Sequence, residues 1–185
     1  MVEGEIAVLD IVKHIKEEAG GDWTQQETES GTEDAFAKKI AEYNHFLEPK
    51  REQFRTEALE EAMQKVMDNY AGGISTHYQF NGKQLALAEE KIRQLIELTE
   101  GLNASDMHEL MFVYELKERL LVCLAVIAHL GARKETRWHS FAENLDYPEK
   151  SDDWMKYVNS KYVDGKIQIL YRDLVEKEAH YEHHD

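Results

Sequence analysis

Apolar residues recur at helical spacing over most of this chain, and the period changes only near its end. Ile6, Leu9, Val12 and Ile15 share one side of a helix over 4–18, and Gly20 and Gly21 supply a stop. The polar stretch "TQQETESGTED" that follows reads as a loop. Helical spacing returns over 33–46 and ends ahead of Pro49, because the residue before proline is pushed out of the helical region. Over 57–70, Leu59, Ala62, Met63, Val66, Met67 and Tyr70 form an unbroken stripe closed by Gly72 and Gly73. Over 81–100, Leu85, Ala88, Ile92, Leu95 and Ile96 share a side with Leu102.

"GLNAS" then turns the chain, with Asn103 or Ser105 available as a cap and Asp106 at the positive end of the next helix. That helix reads as the longest, 106–140. Its first half carries one stripe: Met107, Leu110, Met111, Tyr114 and Leu121. From Leu120 it is apolar nearly all round, which predicts a central helix surrounded by protein. The last elements alternate with period two on either side of Asp164-Gly165, the strongest short hairpin signal a sequence offers. A lone hairpin is marginal in water and needs a surface to lie on. The expected fold is mainly α: a bundle of three to five helices with a long central one and a C-terminal β-hairpin. Residues 1–56 hold a helix, a polar loop and a short helix, and residues 57–185 hold the bundle, the hairpin and a polar tail.

Composition narrows the partners. The 185 residues carry a net charge of −15, which disfavours nucleic acid and anionic membranes. The longest apolar run is too short to span a bilayer, and the acidic N-terminus has no cleavage site of the secretory kind. The one cysteine, Cys123, lies in the apolar run and reads as a structural thiol in a reducing, cytoplasmic setting.

Known chemistry leaves little trace. The chain contains no G-x-G, no G-x-S-x-G and no H-E-x-x-H, so no phosphate cradle, nucleophile elbow or zinc helix is expected. The terminal "HYEHHD" reads as a frayed polar tail, not a metal site, and "HYQFN" at 77–81 as a packed junction. No catalytic, cofactor-binding or metal-binding residue is assigned. One segment stands out: "ARKETRWHS", at the exit of the apolar helix. Arg133 and Arg137 sit four apart, on one face if the helix continues, and an arginine can fork onto a carboxylate. Glu135, Asp146, Asp152 and Asp153 are the carboxylates at hand.

These residues carry a resemblance. "LEEAMQKVMDNYAGGISTHYQFNGKQLALAEEKIRQL", "DMHELMFVYELKERL" and the segment from Ala132 to Val175 resemble the C-terminal helical domain of the fumarate reductase and succinate dehydrogenase flavoproteins. "YAGGISTHY" and "AEEKI" lean toward the adenylylsulfate reductase branch. The family's signature here is Arg, a charged residue, Glu, Ser, Arg and an aromatic or Gly, then Asp-Tyr-Pro, an acidic pair and Trp. It corresponds to Arg133, Lys134, Glu135, Thr136, Arg137 and Trp138, then Asp146, Tyr147, Pro148, Asp152, Asp153 and Trp154. Thr136 stands where Ser is usual and keeps the hydroxyl.

The resemblance implies that "EGEIAVLDIVKHI" is what remains of the helix closing an FAD domain. That domain and the capping domain with its substrate residues have no counterpart in these 185 residues. FAD is therefore expected on a partner chain or a missing domain, and whether the chain is part of an enzyme stays open. The candidate cluster is Arg133, Glu135, Arg137, Trp138, His139, Asp146, Tyr147, Asp153 and Trp154. It is expected to tie the helix exit to the "DYPEKSDDW" loop and the hairpin, with contact to a ligand or a partner chain as the alternative. The expected function is a scaffold and docking surface for a flavoprotein chain. The alternatives are a non-redox structural protein, which could bury the same face as a homodimer, and a gene fragment without independent function.

Overall fold

The computed structural model describes residues 25–49 and 54–174. The expected helix over 4–18 and the terminal "HYEHHD" lie outside them. The chain divides into two units, Met1–His45 and Phe46–Asp185.

Helix α1, Gln25–Leu47, carries all of the described part of the first unit. It begins inside the polar stretch read above as a loop, which corrects that expectation. Periodic apolar residues are one way to hold a helix, but charge pairs on consecutive turns are another. Over the part expected as helix, Lys38 pairs with Asp34 at 2.6 Å and Lys39 with Glu42 at 2.8 Å.

The second unit is a three-helix layer backed by a hairpin. Helices α2 (Thr56–Tyr70), α3 (Gly82–Thr99) and α4 (Met107–Ala132) pack on one another. Leu59, Met63 and Val66 of α2 meet Leu85, Ala88, Ile92 and Leu95 of α3 in the core. Helix α4 adds Leu110, Val113, Leu116, Leu120, Leu124 and Ile127, spaced three or four apart on one side. Burying each such side chain is worth about 1.5–3 kcal/mol.

Two expectations about α4 fail. Its stripe runs through Val113 and Leu116, leaving Met107 and Met111 exposed, and its second half is not enclosed: Val122 is 60% exposed. The apolar residues there outnumber the positions that α2, α3 and the hairpin can cover.

Caps mark the ends. Asn81 and Gln84 form a reciprocal capping box at the start of α3, at 2.9 and 3.1 Å. Asp106 caps α4, accepting from the amides of His108 and Glu109 at 2.8 and 2.9 Å, in place of Asn103 or Ser105. Asn103 instead donates to the carbonyls of Phe46 and Glu48, tying the chain before α2 to the α3–α4 turn. Gly72, at φ +76°, turns the chain toward a two-residue parallel pairing of β1 (Gln79–Phe80) with β2 (Glu143–Asn144). Strands β3 (Lys156–Val163) and β4 (Lys166–Asp173) form the expected antiparallel hairpin. Asp164 and Gly165 have φ of +49° and +77°, the tight turn that Asp-Gly favours. The hairpin lies against α4, where His129 Nε2 and Ser160 Oγ are 2.9 Å apart. No described helix is long and apolar enough to cross a membrane.

Candidate functional site

Helix α4 stops at Ala132, eight residues short of the expected 140, and Arg133 takes an extended conformation (φ −85°, ψ 126°). The physical reason is the carboxylate at 135. In a helix, Glu135 would sit about 200° around the axis from Arg133, away from both arginines. Outside the helix the chain bends at Glu135, and there both guanidinium groups reach its carboxylate. Tyr171 Oη donates to the Ala132 carbonyl at 3.2 Å, satisfying part of the helix end with a side chain from β4.

Glu135 has no exposed side-chain surface. Its Oε1 accepts from Arg133 Nη1 at 2.5 Å and Arg137 Nε at 2.9 Å. Its Oε2 accepts from Arg137 Nη2 at 2.9 Å and the Ser151 amide at 3.1 Å. Burial pushes the carboxyl up. The bonds from Arg137 and the Ser151 amide, with the charges of both arginines, outweigh it and hold the group below its ordinary range.

The arginines reach on to backbone. Arg133 donates to the carbonyls of Trp154 and Lys156 at 3.1 and 2.8 Å, and Arg137 to that of Ser151 at 3.0 Å. Thr136 is also buried, and its hydroxyl donates to the Tyr147 carbonyl while accepting from the Asn144 amide, both at 2.9 Å. Asn144 Nδ2 returns to the Arg133 carbonyl at 3.2 Å. A buried polar knot of this kind stabilises only when its members are satisfied, and these are.

The other candidates fall elsewhere. Asp146 accepts from the Gly82 amide at 2.7 Å, so it serves the positive end of α3 and not an arginine. Asp153 is exposed at the surface, its amide donating to Ser151 Oγ. Tyr147 joins the knot through its backbone: its carbonyl accepts from Thr136 and its amide donates to the Asn144 carbonyl at 3.0 Å. Trp154 contributes its carbonyl to Arg133, and its ring packs edge-on to Tyr171 with centroids 5.6 Å apart. His139 Nδ1 lies 3.2 Å from Glu143, which also accepts from Gln79 at 2.9 Å. These bonds, Gln79 first, hold the Glu143 carboxyl below its usual range. Trp138 is 68% exposed, and Phe141 on the same turn is 72% exposed. Tyr78 meets Phe141 with ring centroids 6.4 Å apart.

Ser151, Asn144 and Glu143 were not singled out in the sequence, and Gln79 only as part of the "HYQFN" junction. Ser151 and Asn144 act partly through backbone groups, which no spacing rule detects.

Beside the knot, Trp138, His129, Phe80 and Leu130 line an open cleft of about 200 Å³ with both arginines. It contains no nucleophile with a base beside it, and no group of three or more metal-ligating side chains occurs among the described residues. Nor do these residues fit FAD. A dinucleotide needs a free helix N-terminus after a glycine-rich strand turn. Here carboxylate or amide side chains already occupy the N-termini of α3 and α4, that of α2 has no side-chain cap but follows no glycine-rich turn, and the arginines that could meet a pyrophosphate bind Glu135 and carbonyls.

The fumarate reductase flavoprotein C-terminal family matches residues 60–184. The chain belongs to that family. Adenylylsulfate reductase subunit alpha of Megalodesulfovibrio gigas is 32% identical over 103 residues, covering 55% of this chain and 16% of the relative. The structure of adenylylsulfate reductase from Archaeoglobus fulgidus aligns with a TM-score of 0.72 at 32% identity, over 94% of this chain and 28% of that one. A quinol fumarate reductase of E. coli shares the fold at 19% identity and TM-score 0.65, over 79% of this chain and 25% of that one. This member of the family thus spans less than a third of the length of each of these relatives.

Proposed function

We propose that this chain is the helical scaffold of an FAD-dependent oxidoreductase resembling adenylylsulfate reductase or fumarate reductase, with FAD carried by a partner chain or a further domain. Residues 57–185 form the scaffold on this reading, in the cytoplasm, and take no part in the chemistry alone. Family membership supports the flavoprotein context. The observation that carries the docking role is the direction in which the knot faces. Its charges are bonded to Glu135 and backbone carbonyls, with the arginines reaching only the cleft wall, and its aromatic edge, Trp138 and Phe141 with Tyr78 beside them, turns outward. Exposed aromatic clusters of this kind are enriched at protein interfaces.

The test mixes the purified chain with an adenylylsulfate reductase alpha chain from which the matching C-terminal segment has been removed. Sedimentation should show a complex that the Trp138→Ala, Phe141→Ala double variant weakens. Absence of any complex would overturn the docking role. In parallel, the chain is incubated with FAD, desalted and examined by visible absorbance. A colourless protein is expected, and retained yellow flavin would overturn the non-catalytic reading.

A further inference from the structure

The hairpin has two faces with different chemistry. The register pairs Val158 with Tyr171, Ser160 with Ile169 and Tyr162 with Ile167. This set carries the contacts with α4, Ser160 with His129 and Tyr171 with Ala132, while Tyr162 and Tyr171 stay 54% and 51% exposed. The alternate set pairs Tyr157 with Arg172, Asn159 with Leu170, Lys161 with Gln168 and Val163 with Lys166, and it points away. Tyr157 and Leu170 are 49% and 45% exposed, forming an apolar centre.

Lys161 and Arg172 stand beside that centre and Lys166 at the turn end, where it lines a cleft with Asp164 and with Glu89 of α3; all three are exposed, and the strand positions of this face carry no carboxylate. The hairpin's two acids lie off it: Asp164 in the turn, and Asp173 opposite Lys156 on the other set. None of the three cations has an ion pair among the described residues, in a chain where 37 acidic side chains oppose 22 basic ones. Elsewhere cations take carboxylates four residues away, as Lys65 does with Glu61 and Arg93 with Glu89. β3 and β4 pair only with each other among the described residues, so each keeps an open edge.

We infer that the outer face of the hairpin, Tyr157, Leu170, Lys161, Lys166 and Arg172, docks an acidic, extended segment of another protein chain. Charge complementarity selects the occupant. A second copy is disfavoured. A two-fold contact through this face would set the cations against themselves, and a head-to-tail contact would not close. A nucleic acid would meet few cations beside a strongly acidic body. The body's field falls off within about 8 Å at physiological salt, so a segment lying on the hairpin feels the local cations first. Two strands of this length span roughly 26 Å, the reach of a single extended segment. The proposal does not depend on the flavoprotein reading, since it concerns residues outside the Trp138–Phe141 edge.

The probe is a short, fluorescently labelled Glu-rich peptide carrying one Leu, titrated with the whole chain and followed by anisotropy. Binding should saturate and weaken with added salt. It should also fall about tenfold or more in the Lys161→Glu, Arg172→Glu variant, as expected for exposed charges that steer and hold a partner. Lys65→Glu, a cation reversal on α2, should leave it unchanged. If charge reversal disturbs the hairpin, as circular dichroism would reveal, Lys161→Gln with Arg172→Gln replaces it. The proposal is overturned by no saturable binding, by equal binding of a Lys-rich peptide, by equal binding to the hairpin variant, or by tighter binding of oligothymidine.

Discussion

The arginines at 133 and 137 and the cations at 161, 166 and 172 belong to one acidic chain and lie in neighbouring elements, yet their charges have opposite fates. The arginines converge on a carboxylate with no exposed surface and on three carbonyls of the following loop and strand. The hairpin cations form no ion pair among the described residues. A cation's role is therefore not legible from its charge or from how many cations surround it. It depends on whether the fold brings a counter-charge to it. Where the fold does, the cation staples the chain to itself; where it does not, the cation is left for something else.

Glu135→Gln should break this contrast most strongly. It removes the shared charge and sets two arginines against a neutral amide. A cost of about 3 kcal/mol is expected, read as a fall in the urea midpoint. The effect has a pH signature. Glu135 is held below its ordinary carboxyl value of 4.5, so its stabilisation is present above the unfolded pKa and is lost as pH falls through the folded one. The gap between native chain and variant should be full near neutrality and close below about pH 4.5. A gap that persists unchanged at pH 3 would mean that the charge is not what holds the knot.

Thr136→Val keeps the shape and removes the hydroxyl, stranding the Asn144 amide and the Tyr147 carbonyl in a buried place. About 2 kcal/mol should be lost, with the slope of the denaturation curve unchanged. Asp146→Asn is the smallest. It keeps an oxygen near the Gly82 amide and removes only the charge at the start of α3, costing about 0.5 kcal/mol. If that loss matched the loss at Glu135, Asp146 would belong with the knot after all.

Legibility followed the range of the forces involved. The stripes of α2 and α3 and the Asp-Gly turn were readable because period and turn chemistry are local. The start of α1 was missed because residues 25–32 carry no apolar stripe to read. The candidate cluster was legible as a list of residue types and only partly as an arrangement. Arg133, Glu135 and Arg137 do meet, at a bend after the helix and not on a helix face. Asp146 and Asp153, equally acidic and nearby in sequence, do not join them.

Local order, net charge and the family resemblance were all written in the order of residues, because each depends on spacing or composition. The end of α4, the pairing of Gln79 with Glu143 across 64 positions, and the exposure of Val122 were not. Those depend on which surfaces and carbonyls the folded chain brings within hydrogen-bonding distance. A contact between distant segments forms only after the helices have packed, so only the tertiary structure decides it.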